Sequence, residues 1–468
     1  MDHSSLKGER QLKASVTLKQ NNLPPPGNVL ITGAAIVRDC RSDVLEDGAI
    51  LISHGKIADI GPSPEVLNRH PHERPIDGRG FLIIPGLINA HTHAAMGFFR
   101  GRGHGRENMI ESFMFPAEKS LTPELLEPLS YSYIYGGLRS GVTCFADHYY
   151  HVEGVGRALE RFGLRGVIGE TVADLGGAFP GRHRWDLARS QIESWSFSDR
   201  IKPAVAPHAA DTVSPDLLKE MAAYSKSNAL PLHMHLSQTA VEYERIQKAH
   251  GKSPVQLAAQ CGALTPRTLA VHLISATGED WKILADSGAT AGLCTASQMI
   301  YERLASLQDI ANHHIPFALG TDCAACNDGS DMMAEMRITG LLGRDRGLGQ
   351  NAKDGTEIDS AIDHLNAAGL LRASTESPAK VFGLDRQIGT LEAGKAADLV
   401  FLRLDLDALP ITDYFANLIY SMSSRHVQHV MVDGRWCLWN SALVGVAVED
   451  LEEAFVDAVD IITKRAFS

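Results

Sequence analysis

Residues 81–93 read FLIIPGLINAHTH, from Phe81 to His93. An almost unbroken apolar run ends there on two histidines spaced i, i+2. Strands buried on both faces, as in a parallel sheet covered by helices, read as continuous apolar runs rather than as alternations. Side chains at i and i+2 of a strand share one face, so His91 and His93 can project together beyond its C-terminal end. Alone, a His-x-His pair is more often packing than a site. Its meaning depends on how the other strands end.

Seven further runs follow in order: GVTCFADHYY, RGVIGETVAD, KPAVAPHAAD, LPLHMHLSQT, TLAVHLIS, ATAGLCTAS and IPFALGTDCA. Helix candidates lie between them. One opens at Thr122-Pro123-Glu124, one runs from Ser214-Pro215-Asp216 to Ser225, and one from Gly278 to Ser287. Proline in the first helical position after a polar cap is a helix-start signal. Eight strands alternating with helices over residues 84–385 predict an α/β fold, a (β/α)8 TIM-type barrel rather than an open doubly wound sheet. In such barrels the chemistry sits at the C-terminal strand ends.

Both flanks change texture. VLITGAAIV and AILISHGKIADIG, with His54-Gly55 at a turn, read as a hairpin in the segment 28–83. In 386–440, ADLVFLRL is a strand candidate and HVQHVMVDGRWCLWN carries Asp433-Gly434 between alternating strands, a strong hairpin signal. The two segments are expected to form one small β-sandwich, its chain split by the barrel. Residues 1–27, polar and ending Pro24-Pro25-Pro26-Gly27, read as a flexible arm, and 441–468 as a C-terminal helix.

The 468 residues carry 44 Lys+Arg and 56 Asp+Glu, 44 − 56 = −12, which argues against broad phosphate-backbone binding and so against a nucleic-acid partner. No run of about 20 apolar residues is present, so no membrane span is expected. Seven cysteines without framework spacing point to a reduced, cytoplasmic protein. Cys323-Ala-Ala-Cys326 has redox or zinc spacing but no second pair, and reads as buried structural thiols.

Twenty histidines are the feature that the composition leaves to explain. Strand 5 ends His233-Met-His235, strand 6 carries His272, and strand 8 ends Gly320-Thr321-Asp322. Imidazoles and a carboxylate converging with His91 and His93 on a barrel mouth suit Zn²⁺ or Fe²⁺.

PGLINAHTHAAM, HMHLSQT, AVH and GTD resemble motifs of the amidohydrolase superfamily. The branch most resembled contains adenosine-type deaminases (S-adenosylhomocysteine and methylthioadenosine), guanine deaminase, and s-triazine aminohydrolases and chlorohydrolases. The resemblance spans residues 28–440. It implies a hydrolase that attacks a C–N bond of a small N-heterocycle with water activated by a metal. It implies metal ligands His91, His93, His235 and Asp322, with Asp322 also taking the water's proton and His272 orienting that water. His208 resembles a substrate-contacting histidine, and Glu118 in FPAEKSL a glutamate that meets the substrate. Strand 4 ends in His208 and offers no lysine, so one divalent ion per chain is expected, Zn ahead of Fe. The family also implies a homodimer or homotetramer.

One position departs from the pattern. Where the deaminases carry a proton-shuttling glutamate three residues after the strand-5 ligand, this chain has Gln238, which cannot titrate. That leaves open a chlorohydrolase, or a hydrolase of cyclic or N-substituted amides, on the same scaffold. It also leaves His272, Asp322 or a relay through Glu242 to supply the proton. Of the remaining histidines, His233 reads as a satisfied core residue, and His313, His314, His426 and His429 as surface residues. The segment Arg100-Gly-Arg-Gly-His-Gly-Arg106 reads as a mobile cover over the barrel mouth.

Overall fold

The computed structural model of the chain describes residues 24–25, 28–106, 108–301, 303–351 and 365–467. Most of the arm expected over 1–27 therefore lies outside the described residues.

The opening run divides into two strands with different partners. Phe81–Pro85 lies in a nine-stranded sheet, whereas Leu87–Thr92 starts a parallel one. Pro85 has no N–H to continue a ladder. The next N–H, that of Gly86, donates to the carbonyl of Asp398 at 3.0 Å. The expectation that FLIIP leads the first barrel strand is corrected here: those five residues pair antiparallel with Leu399–Arg403, Leu82 opposite Leu402. That pairing joins the two chain ends, with Val29–Ile36, Leu45–Ser53 and Lys56–Pro62 on one side and Val427–Val432, Arg435–Trp439 and Ala442–Leu443 on the other. Ile31, Ile50, Ile52, Phe81, Ile83 and Phe401 build a core of their own.

Both expected hairpin turns form with left-handed pairs, His54 (φ 51°) with Gly55 (φ 79°) and Asp433 (φ 52°) with Gly434 (φ 72°). They also touch. A Cβ on Gly434 would lie 2.6 Å from the Cα of Gly55, so only glycine allows this contact between the chain's two ends. The final helix runs over Val448–Ala466.

The parallel strands form two sheets. The first contains Leu87–Thr92, Val142–Tyr149, Arg165–Val172 and the short pieces Ile201–Pro203 and Ala206–Pro207. The second contains Leu232–Leu236, Thr268–His272, Thr290–Leu293 and Phe317–Leu319. Bridges from Val205 to Leu232 and from Thr92 to Asp322 join the sheets at both seams. At the second seam the Asp322 N–H donates to the His91 carbonyl at 3.0 Å. The architecture is of TIM-barrel type, and the helices Pro123–Arg139, Pro215–Ser227 and Glu279–Ser287 start at the residues their sequence signals mark. A buried bidentate pair, Arg165 to Asp398 at 2.7 and 3.0 Å, ties the third parallel strand to the nine-stranded sheet. Among the described residues no helix is long and apolar enough to cross a membrane.

A second correction concerns His426 and His429, which are buried (2% and 0% exposed) rather than at the surface. His426 closes the short turn Ser424–His426, and His429 lies in the strand Val427–Val432, which has apolar neighbours on both faces. His429 packs against the rings of Trp439 (4.1 Å between centroids) and Phe81 (5.3 Å).

Candidate metal centre

His91, His93, His235, His272 and Asp322 end four different strands and meet at one end of the parallel sheets. The seam pairing explains part of this, because it places Asp322 directly beside the His-Thr-His turn. Asp322 Oδ1 is 3.6 Å from both His91 Nε2 and His93 Nε2. Asp322, His272 and Ser237 adopt left-handed backbone (φ 60°, 83° and 52°), unusual for residues with a side chain, where their strands end at the site.

The protonation of two imidazoles follows from their partners. His93 Nδ1 lies 2.7 Å from the His148 carbonyl, and His235 Nδ1 lies 3.0 Å from the His208 carbonyl. A carbonyl only accepts, so each Nδ1 carries the hydrogen and each Nε2 presents a lone pair. Those two Nε2 atoms face each other at 3.2 Å. His91 Nε2 is buried and lacks a hydrogen-bond partner. Lone pairs directed at one another are repulsive unless a cation lies among them. Burial holds His235 well below its ordinary pKa and His91 at about 4, so neither of these two rings readily takes a proton. Burial alone would raise the Asp322 carboxyl, but the His91 ring, 3.6 Å away, and the neighbouring imidazoles hold it well below the usual carboxylate range. Three imidazole nitrogens and one carboxylate are a donor set for a divalent ion such as Zn²⁺.

The supporting contacts are as particular as the donors. His91 Nδ1 lies 2.7 Å from His233 Nε2, so His233, buried as a core residue, also orients His91. Asp322 Oδ2 accepts from Ser297 Oγ at 2.6 Å. His272 stacks on His235 (ring centroids 5.3 Å apart, planes 13° apart), and both of its ring nitrogens lack partners. Burial pushes its pKa down to about 3, leaving a neutral ring.

Sequence reading missed His148. It is the penultimate residue of the strand Val142–Tyr149, is fully buried, and places a ring nitrogen within 4.8 Å of the donor atoms of His91, His93 and His235. Its Nδ1 pairs with Thr171 Oγ1 at 3.1 Å and its Nε2 has no partner. The available signal was a polar residue at the C-terminal end of an apolar strand, the same one that marked His91 and His235.

His93, His235 and Asp322 line a cavity of about 590 Å³, a volume suited to a small organic molecule. Glu118, His208 and Gln238 all line it. Glu118 is buried, accepts from Tyr149 Oη at 2.7 Å, and is pushed up to about 7 by burial. His208 Nδ1 pairs with Thr212 Oγ1 at 2.8 Å, and burial brings its pKa down to about 4. The Gln238 N–H donates to Glu242, whose carboxylate also accepts from the Ser237 N–H. Met96, Met109, Met114, Phe115 and Ile274 make the opposing walls apolar.

Fold and donor set together define a TIM-barrel-type hydrolase with a candidate divalent-metal centre. The chain belongs to the amidohydrolase family, whose model matches residues 82–437, and it is a hydrolase acting on C–N bonds. It is 31% identical over 445 residues to a 5-methylthioadenosine/S-adenosylhomocysteine deaminase of Nitratidesulfovibrio vulgaris (strain DP4), covering 92% of this chain and 96% of that one. It is 32% identical to a 5'-deoxyadenosine deaminase of Methanothermobacter thermautotrophicus, with 92% and 96% covered. Among solved structures, an adenosine deaminase of Xanthomonas campestris with bound zinc superposes with a TM-score of 0.84 at 26% identity, covering 94% of this chain and all of that one.

Proposed function

We propose that this protein is a hydrolytic deaminase of a small amino-substituted N-heterocycle. One divalent ion, Zn²⁺ ahead of Fe²⁺, would be held by His91, His93, His235 and Asp322. The observation that carries the reading is the pair of opposed Nε2 lone pairs on His93 and His235, 3.2 Å apart, with Asp322 Oδ1 beside them. Bound there, a divalent ion supplies the Lewis acidity that makes water nucleophilic at neutral pH.

The protein's own residues divide the remaining work. Asp322, held ionised, accepts the water's proton. His272, neutral and without partners, orients the attacking water and polarises the ring it attacks. His208 and Glu118 contact the substrate from the cavity wall, and His148 has a free ring nitrogen to offer the same space. Gln238 can bond to a ring nitrogen or an amino group but cannot carry a proton. Gln238 is also the observation that favours a second reading, hydrolysis in which the leaving group departs unprotonated, as chloride does, or cleavage of a cyclic amide. The names of the deaminase relatives support an amine as leaving group and make adenosine derivatives the first substrates to try.

The family resemblance supports a homodimer or homotetramer, and seven free cysteines support a cytoplasmic setting. The separate core under the nine-stranded sheet supports its reading as a small sandwich over residues 28–83 and 386–440.

The test is ammonia and chloride release by zinc-loaded protein across adenosine derivatives, guanine, pterins and amino- and chloro-triazines. Ammonia release from at least one amino-heterocycle is expected. Chloride release without ammonia would replace the leading reading by the second.

A further inference from the structure

The CAAC turn that follows Asp322 brings two thiols together on the wall of the cavity. Cys323 and Cys326 are both free, line the cavity, and have sulfurs 2.9 Å apart. The turn that creates this approach is closed by backbone bonds from Cys326 and Asn327 N–H to the Cys323 carbonyl at 3.3 and 3.0 Å. Among the described residues no other two cysteine thiols pair in this way. Either sulfur reaches the other without any movement of strands.

Two parts of the site lean on this turn. Cys326 S–H donates to Asp322 Oδ2 at 3.4 Å, next to the Ser297 bond on the same oxygen. The glycine-rich segment expected to cover the mouth docks on the far side of the turn. A Cβ on Gly103 would lie 2.1 Å from the Ala325 carbonyl oxygen, so glycine is required for the segment to lie this close. Arg100 Nε donates to the Asp328 carbonyl at 2.7 Å, Gly101 N–H donates to the Asp328 carboxylate at 2.7 Å, and His104 pairs with the same carboxylate.

We propose that Cys323 and Cys326 are a modification site, a dithiol that a hydroperoxide small enough to enter the cavity closes to a disulfide, lowering the enzyme's activity. One thiol sulfur attacks a peroxide oxygen; the O–O bond breaks, the sulfur becomes a sulfenic acid, and water (an alcohol for an organic peroxide) leaves with the thiol's proton. The second sulfur then attacks the sulfenic sulfur, forming S–S and releasing its hydroxyl as water. The two sulfurs lose two electrons and the peroxide gains them. Closure removes the S–H that donates to Asp322 Oδ2 and contracts the turn that carries both Asp322 and the docked segment. Displacement of a reacting group by about 1 Å can cost about 100-fold in rate, so a fall of about tenfold or more is expected.

The experiment treats zinc-loaded, full-length enzyme with hydrogen peroxide and follows three readings: thiols alkylated after denaturation, peptide mapping for a Cys323–Cys326 link, and rate. Loss of two alkylatable thiols, the mapped link and a rate loss restored by a dithiol reductant would support the site. The Cys323→Ser and Cys326→Ser variants, each compared with its own untreated rate, should resist the same dose. If both thiols remain alkylatable, or the link forms without loss of rate, or the rate falls without the link, the proposal is overturned. The thiol readings hold whatever the substrate, so a failed function assignment would show instead as untreated enzyme inactive on every heterocycle tried.

Discussion

Burial depresses the pKa of His429 in the nine-stranded sheet and of His91, His148, His235 and His272 at the barrel mouth, with opposite meanings. His429, in the nine-stranded sheet, is ringed by Phe81, Phe401, Trp436 and Trp439, and burial lowers it to about 3. Its Nδ1 accepts from the Asn440 N–H at 3.2 Å, so it behaves as an aromatic filler with one hydrogen bond. At the barrel mouth, His91, His93, His148, His235 and His272 are ringed mainly by one another. Depressed basicity therefore does not separate packing from chemistry here. The direction of the lone pairs does: those at the mouth converge, and in the sheet there is no second imidazole to oppose.

The comparison breaks most sharply on metal content. His235→Ala should leave less than about 0.2 metal per chain and cut turnover by about 1,000-fold or more, measured by elemental analysis and product release. His429→Phe should keep both near wild type. Equal metal loss in the two variants would erase the distinction. A smaller effect is expected one layer back. His233→Ala removes the partner of His91 Nδ1 and should weaken zinc binding by about 10–100-fold, read by competition with a chelator.

Gln238→Glu tests the departure from the deaminase pattern. It should raise ammonia release by about tenfold and add a titrating group to the pH profile, within the range that a positioned acid or base contributes. An unchanged rate and profile would show that the proton already has a carrier. The smallest expected effect concerns stability. His429 titrates near 3 when folded and near its ordinary 6.5 when unfolded, so the unfolded chain binds more protons between those values. Its contribution is therefore fully present above pH 6.5 and is lost as pH falls toward 3. His429→Phe should melt lower at pH 7, losing one hydrogen bond worth about 1 kcal/mol. That gap should close or reverse by pH 4.5.

What was legible in the sequence follows from strand periodicity. His91, His93, His235, His272 and Asp322 could be found because each punctuates the end of an apolar run, and a parallel sheet brings such ends to one edge. His148 ends a run too, but Asp147, Tyr149 and Tyr150 flank it, and only the sheet shows which of them faces the mouth. His429 was misplaced for a related reason. Its strand is covered by its own core on one face and by the barrel on the other, so alternation could not reveal that both faces are buried. The run 81–93 hid its change of sheet because both halves are wholly buried, and the Pro85-Gly86 break is a signal of two residues. The mutual orientation of His93 and His235, which carries the functional reading, is set by carbonyl acceptors from other strands and has no one-dimensional trace.

The contact of Gly55 with Gly434, and the pairing of Leu82 with Leu402 across 402 − 82 = 320 residues, also bear on how the chain is made. As it leaves the ribosome, the first hairpin emerges long before the strands that complete its sheet. Until then, the edge formed by Phe81–Pro85 is an open template for any passing strand. Phe81, Leu82, Ile83 and Ile84 are the residues then at risk, so aggregation during synthesis should be most acute in chains stopped after the barrel and before residue 399.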